Sequence, residues 1–466
     1  MKVNKINILR IIGNRFDVSF YNERFDFISN SYHSYELGQL FYINPTVSYK
    51  HITKNDLISF VPMEDIDEQN GIIKLQKTTF YSKIKGFTKF QNGDLLWAKI
   101  TPCMQNGKSA IARNLVNGGG CGSTEFYVLR PKSDKVLIEY IHYILRDNRV
   151  LESARNSFGG SAGQQRVSSS YLKSIKIPLP PIDIQQQIVD IYTSAQEAKQ
   201  AKEQKAQEIL DSIDGEILNQ LQISLSTKKE SAIDDACYQI RLSDLLGKRY
   251  DPYYHNPYFK NAFHKLYESK YPLLTLGKIS TLITSGTTPK SGGNDYTNVG
   301  NGIAFIRSGD IDIEGKIDFD SLLYIKPEVH NTKMKSSQVK NNDIMIAIVG
   351  ATIGQVGIYH SDKEANINQA IALVRLEEGH NPEYIKEVIK SSIGQLNLDR
   401  LKRPVARANI NLEEIASMVI PVPDIDIQNA IVESIISIRN RARLLQEEGC
   451  ILLENAKSRI EKIILG

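Results

Sequence analysis

Ile177-Pro178-Leu179-Pro180-Pro181-Ile182-Asp183-Ile184-Gln185-Gln186-Gln187-Ile188-Val189 starts with prolines and runs into a long polar–apolar helix. The pattern returns near the C-terminus as Ile420-Pro421-Val422-Pro423-Asp424-Ile425-Asp426-Ile427-Gln428-Asn429-Ala430-Ile431-Val432. The copies align without a gap at an offset of about 243 residues, roughly half of the 466-residue chain. A hinge followed by a helix, present twice, divides the chain into two bodies, each in front of its own hinge.

The first helix covers about Ile184 to Leu221. Ile184, Ile188, Ile191, Ala195 and Ala198 keep a four–three spacing, and Leu210, Ile213, Ile217 and Leu221 resume it in another phase. Between them runs AKQAKEQKAQE, which has high helix propensity and mixed charge signs, as a solvated face has. At about 1.5 Å per residue this helix spans roughly 57 Å, too long for the core of one small domain. In the second helix Ile427, Ile431, Ile435, Ile438, Ala442, Leu445, Leu452, Ala456 and Ile463 hold a coiled-coil spacing, with Gly449 as one weak position. Two such seams are most economically buried against each other. Similar hinges related by a pseudo-two-fold axis would set the helices antiparallel, with a globular head at each end of a rod.

The bodies repeat as well. Arg15-Phe16-Asp17-Val18-Ser19-Phe20-Tyr21-Asn22 opens the first and Arg249-Tyr250-Asp251-Pro252-Tyr253-Tyr254-His255-Asn256 the second, each readable as an Arg–Asp bonded turn with packed aromatics. The first body then shows β-like runs at Leu57–Val61, Thr78–Phe80, Leu95–Ile100, Ala110–Arg113 and Glu125–Leu129. A helix over Lys135 to Phe158 follows, then a Gly-rich loop to Val167 and a short helix at Ser169–Ser174. After a polar linker from Ser224 to Asp235, the second body has runs at Gly302–Arg307, Leu322–Ile325, Asp343–Val349, Gln355–Tyr359 and Ala370–Leu376. A helix near Pro382 to Leu398 and a basic loop, Lys402 to Ile410, complete it. The expected fold is α+β: two mixed α/β bodies, each a twisted β core with helices, related by pseudo-two-fold symmetry and joined by two long antiparallel coiled-coil helices.

Length implies two to four domains, and 41% hydrophobic with 24% charged residues is the make-up of a soluble globular protein. A net charge of +4 permits nucleic acid without proving it, because a DNA reader needs Lys and Arg clustered on one face. Cys103, Cys121, Cys237 and Cys450 lie too far apart for a zinc site or a disulfide framework. Neither a signal peptide nor an apolar run of membrane length is present, so a cytoplasmic protein is expected.

Three stretches imitate catalytic motifs. Asn106-Gly107-Lys108-Ser109 looks like the end of a phosphate-binding loop, but Pro102 stands where its first glycine belongs. The bland alternative is a structural turn, with Lys108 still able to meet a DNA phosphate. Asn256-Pro257-Tyr258-Phe259 lacks the second proline of the motif that positions a flipped base in amino-methyltransferases. Asp310 with Glu314-Gly315-Lys316 imitates a metal-holding nuclease set at too short a spacing, and a hairpin turn explains it better. Recognition remains. Gln164, Gln165 and Arg166 precede the first hinge, and Lys402, Arg403 and Arg407 the second. Gln can bridge adenine and Arg guanine in the major groove. Lys290, in the polar loop Ser285 to Tyr296, with Lys108 and Arg307, completes the candidate DNA-binding set.

The two hinges, with Arg15-x-Asp17, Arg249-x-Asp251, Thr284-Ser285-Gly286-Thr287-Thr288-Pro289 and Val349-Gly350-Ala351-Thr352-Ile353-Gly354, resemble the specificity (S, HsdS) subunit of type I restriction-modification systems over nearly the whole chain. The second hinge departs in reading Pro421-Val422-Pro423-Asp424, without a terminal proline pair. The resemblance implies target recognition domain 1 at 1–183, conserved spacer helix 1 at 184–225, target recognition domain 2 at 226–426 and conserved spacer helix 2 at 427–466. It further implies bipartite double-stranded DNA as ligand, two methylation (M) subunits and restriction (R) subunits as partners, and no catalysis by this chain. S-adenosylmethionine, ATP and Mg would sit on those partners, with no cofactor or metal here. The alternatives are a stand-alone recognition module fused or tethered to a nuclease or methyltransferase, and a coiled-coil adaptor that does not bind DNA.

Overall fold

The structure, a computed structural model, describes residues 29–49, 51–75, 77–158, 165–225, 238–245, 249–290, 293–402 and 408–466. The opening motif at Arg15–Asn22 lies outside the described residues. The chain forms two compact units: Met1–Gln204 with Leu445–Gly466, and Lys205–Leu444.

Unit 1 is built on two four-stranded sheets. One has the order Phe41–Ile43, Phe126–Pro131, Leu95–Ala98, Ser109–Ile111, all antiparallel. Its central run Leu95-Leu96-Trp97-Ala98 is buried throughout, because both faces are covered. Leu95 and Trp97 pack with Tyr140, Ile141 and Ile144 of the helix Ile138–Leu145, whereas Leu96 packs with Val61, Phe90, Phe126 and Val128. The two-residue period of a strand thus feeds two cores from one segment. The other sheet has the order Lys77–Phe80, Leu57–Val61, Gly119–Gly122, Thr88–Gln91, its middle pair parallel. The strand Gly119–Gly122 was not among the expected runs. Glycine is a poor strand former, but here it is required: a Cβ on Gly122 would lie 2.1 Å from the Val61 carbonyl oxygen.

Unit 2 repeats this plan. Ser280–Ser285, Ile371–Leu376, Ile344–Ala347 and Val356–Ile358 form the antiparallel helix-facing sheet. Tyr296–Thr297, Leu323–Ile325, Ile303–Ile306, Ala365–Ile367 and Gln338–Val339 form the second, with Ile303–Ile306 and Ala365–Ile367 parallel. The same buried ion pair braces both units. Arg130 holds Asp94 through Nε and Nη2 (2.7 and 2.7 Å), and Arg375 holds Asp343 likewise (2.8 and 2.6 Å). Gly93-Asp94 and Asn342-Asp343 thus stand at equivalent places, and both Gly93 and Asn342 have positive φ.

The single helix expected over Lys135 to Phe158 is two helices, Ile138–Leu145 and Asn148–Asn156. Asp147 breaks it, since its side chain accepts from the Arg149 N–H and caps a new helix. Unit 2 has the same division, Pro382–Lys390 and Ser392–Leu401, at extended Ser391. The short helix Ser169–Ser174 forms as expected.

Each proline hinge is clamped by its own repeat. Tyr140 Oη donates to the Pro178 carbonyl at 2.7 Å, and Tyr384 Oη to the Pro421 carbonyl at 2.8 Å. Gln185 is fully buried: Nε2 donates to the Pro180 and Lys135 carbonyls, and Oε1 accepts from the Leu137 N–H. Gln428 does the same between the Pro423 carbonyl and the Asn381 N–H. A small ladder precedes each hinge, Ser34–Glu36 with Lys176–Pro178 and Leu273–Thr275 with Val419–Pro421.

The long helices run Ile182–Asp211, continued after Ser212 as Ile213–Gln220, and Ile425–Leu465. In unit 1 Ile188 shares a core with Ile460 and Ile464, and Lys202 pairs with Glu448 at 2.6 Å. In unit 2 Ile217 and Leu221 share a core with Ile431, Val432 and Ile435, and Ser434 Oγ donates to Glu216 at 2.9 Å. Within each unit, then, the two helices pack antiparallel. The seam departs from the sequence pattern in detail: Leu452 is exposed, and Ile464 rather than Ile463 is buried. Gly449, the expected weak position, is buried against Lys199, where a Cβ would make little more than ordinary contact, 3.4 Å from Lys199 Cα. Ala206, within the Ala/Lys run, is fully buried and carries the seam through it. Among the described residues no helix is long and apolar enough to cross a membrane.

Candidate nucleic-acid interface

Both helix-facing sheets end in the same arrangement. In unit 1 the chain leaves Leu95–Ala98, and Ile100 forms an antiparallel bridge with Arg166. Thr101 N–H donates to the Gln165 carbonyl (3.0 Å) and Val167 N–H to the Lys99 carbonyl (2.9 Å). In unit 2 the chain leaves Ile344–Ala347, and Val349 bridges Asn409. Gly350 N–H donates to the Ala408 carbonyl and Ile410 N–H to the Ile348 carbonyl, both at 3.0 Å. The last residues of each expected reading loop are thus pinned to the end of a core strand. Gln164, Arg403 and Arg407 lie outside the described residues.

The chemistry around the two bridges differs. In unit 1 the Glu125 carboxylate takes Arg166 Nε and Nη2 at 2.9 Å each, and Lys99 N–H donates to the Glu125 carbonyl at 2.9 Å. The Arg166 hydrogen bonds hold the Glu125 carboxyl below the usual range, with Lys99 adding to the effect, and Glu125 in turn raises Arg166. Lys99 Nζ lies over the Tyr127 ring, 5.4 Å from its centre. At the same places in unit 2 stand Ile348, Ala370 and Asn409, with the Ile348 N–H to Ala370 carbonyl bond preserved at 2.9 Å.

On the same rim of unit 2, Gly286 N–H donates to the Asn368 carbonyl and Asn368 N–H to the Ile306 carbonyl. Thr288 Oγ1 donates to Gln369 Oε1. The Thr284–Pro289 motif needs its glycine, because a Cβ on Gly286 would fall 1.7 Å from the Ile367 carbonyl oxygen. This brings Lys290 and Arg307 to one end of the body. Lys290 is exposed and forms no ion pair among the described residues. Arg307 is held by Asp310 through Nε and Nη2 (3.0 and 2.6 Å), which raises its pKa.

The remaining candidates are engaged with the protein. Lys108 Nζ donates to the Met63 carbonyl (3.3 Å), and Lys402 Nζ to Asp399 (2.8 Å) at the end of helix Ser392–Leu401. Gln165 is partly exposed beside Arg166. Glu125 had no local signal in the sequence, since its partner lies 41 residues away.

The motif mimics resolve into structure. Asn106–Ser109 is a turn: Gly107 has positive φ, its carbonyl accepts from Arg146 Nη1 and Ser109 Oγ, and Ser109 Oγ meets His142 Nε2 at 3.1 Å. Asn256 caps the helix Pro257–Tyr267. Asp310 is used by Arg307, and Glu314–Lys316 belong to the hairpin joined at Ile311 and Ile317. Among the described residues no group of three or more His, Cys, Asp or Glu is placed to hold a metal ion. Arg249 makes the expected turn, with Nε to Asp251 at 2.7 Å, while Nη1 reaches the Leu401 carbonyl (2.7 Å) and Glu414 (3.1 Å).

Residues 30–211 match the family model described as the type I restriction modification DNA specificity domain, so the first body falls in the class of DNA specificity domains. Over 170 residues the chain is 35% identical to the EcoAI specificity subunit of Escherichia coli, covering 36% of this chain and 28% of that relative. It is 23% identical over 382 residues to the putative MjaX specificity subunit of Methanocaldococcus jannaschii, covering 80% of this chain and 77% of the relative. A chain from a solved structure of a type I R-M system superposes with a TM-score of 0.58 at 14% identity, covering 94% of this chain and 97% of that one. The chain is thus similar to type I restriction specificity subunits, through the family model over residues 30–211 and through the sequences of curated members. The first curated relatives are matched over little more than a quarter of their own length, 28% and 26%.

Proposed function

We propose that this protein is the DNA-reading subunit of a type I restriction-modification complex, and that it recognises a two-part site on double-stranded DNA. The observation that carries this is the recurrence in unit 2 of the two main sheets, the small ladder and the hinge of the matched domain, down to the bridges Ile100–Arg166 and Val349–Asn409. Each body, 1–183 and 226–426, reads one half-site from its bridge end, and helices 184–225 and 427–466 set the gap. Phosphate contacts supply salt-dependent affinity, and base edges supply specificity. Joining two weak readers makes the second engagement intramolecular, which multiplies affinity without new contacts.

The chain directs chemistry that it does not perform. Two methylation subunits dock on the helices and bring S-adenosylmethionine for adenine-N6 methylation. Restriction subunits bring ATP-driven translocation and Mg-dependent cleavage. The complex works in the cytoplasm. The test is a domain exchange: residues 249–411 replaced by the corresponding segment of a relative with a different target. One half-site should change and the other persist. A target that changes at both ends, or at neither, would refute the two-reader scheme.

A further inference from the structure

Arg166 is held by a carboxylate that unit 2 does not have. The Glu125 fork fixes the guanidinium plane with two bonds of 2.9 Å. Both backbones are pinned to the same residue, since Lys99 gives its N–H to the Glu125 carbonyl and accepts at its own carbonyl from Val167 N–H. Three neighbouring segments therefore define where this side chain lies, at the end of the expected reading loop. Arg166 remains 41% and Glu125 22% exposed, so the pair is at the surface and is not a core brace like Asp94–Arg130, whose carboxylate is 1% exposed. An unsupported exposed Arg must give up rotamer freedom when it binds, whereas a forked one has already done so.

We infer that Glu125 is a positioning residue for recognition: it aims Arg166 at a base edge of the half-site read by unit 1, and unit 2, with Ala370 and Asn409 in those places, reads its half-site without such a pair. This rests on the DNA-reading function proposed above. Planar bidentate pairing of Arg with guanine requires a fixed guanidinium, so the pair predicts a G·C position in the unit 1 half-site.

The experiment compares full-length protein, in complex with its methylation subunits, as wild type, Glu125→Gln, Glu125→Asp and Arg166→Ala, on DNA with one half-site randomised. Melting temperature and the salt dependence of binding are measured in parallel. Glu125→Gln should lower the preference at one base pair on the order of tenfold, with melting temperature and salt slope unchanged. Arg166→Ala should relax the same position, and Glu125→Asp should restore part of the preference. Unchanged base preference in Glu125→Gln, or weakening that is uniform across sequences, would overturn the inference while leaving the function intact. A wild-type complex that selects no sequence would overturn both.

Discussion

Arg249 Nη1 donates to the Leu401 carbonyl at 2.7 Å and also meets Glu414 at 3.1 Å, so one guanidinium ties together the segments on either side of residues 403–407. Its Nε is committed to Asp251, and Asp251 accepts from the Tyr254 N–H at 2.9 Å. The Arg-x-Asp motif thereby fixes Leu401 and Glu414 to one side chain. Arg249→Ala should lower the stability of unit 2 by about 1–3 kcal/mol and weaken the second half-site only. Denaturant unfolding and half-site binding check this, and equal loss at both half-sites would contradict it.

The hinge glutamines carry a second prediction. Gln185 and Gln428 satisfy buried backbone groups on both sides of a proline turn. Replacing either with Leu leaves those groups unpaired, at about 1–3 kcal/mol each. Melting of the single and double variants should show near-additive losses, because the two sites share no partner.

A third concerns acid. Burial, then the nearby Arg146 charge, pushes His142 down to about 3. The unfolded chain takes up a proton near pH 6.5, while the folded chain resists it until about pH 3. Unit 1 therefore loses stability as pH falls below about 6.5. His142→Gln, which can still bond Ser109, should flatten the decline in melting temperature between pH 7.5 and 5. An unaltered decline would show that the proton goes elsewhere.

Gly286 provides a fourth. A methyl group there would meet the Ile367 carbonyl oxygen at 1.7 Å, so Gly286→Ala must displace the loop that carries Thr288 and Lys290. Recognition of the second half-site should fall at least tenfold with little change in the first; competition binding on half-site variants measures this.

Much of the architecture was legible because duplication exposed it. Gln185 and Gln428 stand at equal places in the two hinges, and the two hydrogen bonds they share, to a hinge carbonyl and from a backbone N–H, explain why that position repeats. Strand Gly119–Gly122 was not legible, because close approach to Val61 overrides strand propensity. Nor was the helix break, which depends on whether Asp147 caps or merely faces solvent. In the candidate interface, composition pointed to basic residues near the hinges, but not to the partners of Arg307, Lys402 and Arg166. Those pairings arise from tertiary placement or rotamer choice, which local pattern does not encode.

The most direct test is a genome-wide map of methylated adenines in cells carrying this gene with its methylation-subunit gene, compared with cells from which only this gene is deleted. The account predicts one motif made of two short half-sites with a fixed unspecified gap, methylated in both halves and lost entirely on deletion. Methylation that persists unchanged after deletion, or a motif without two separated halves, would contradict it.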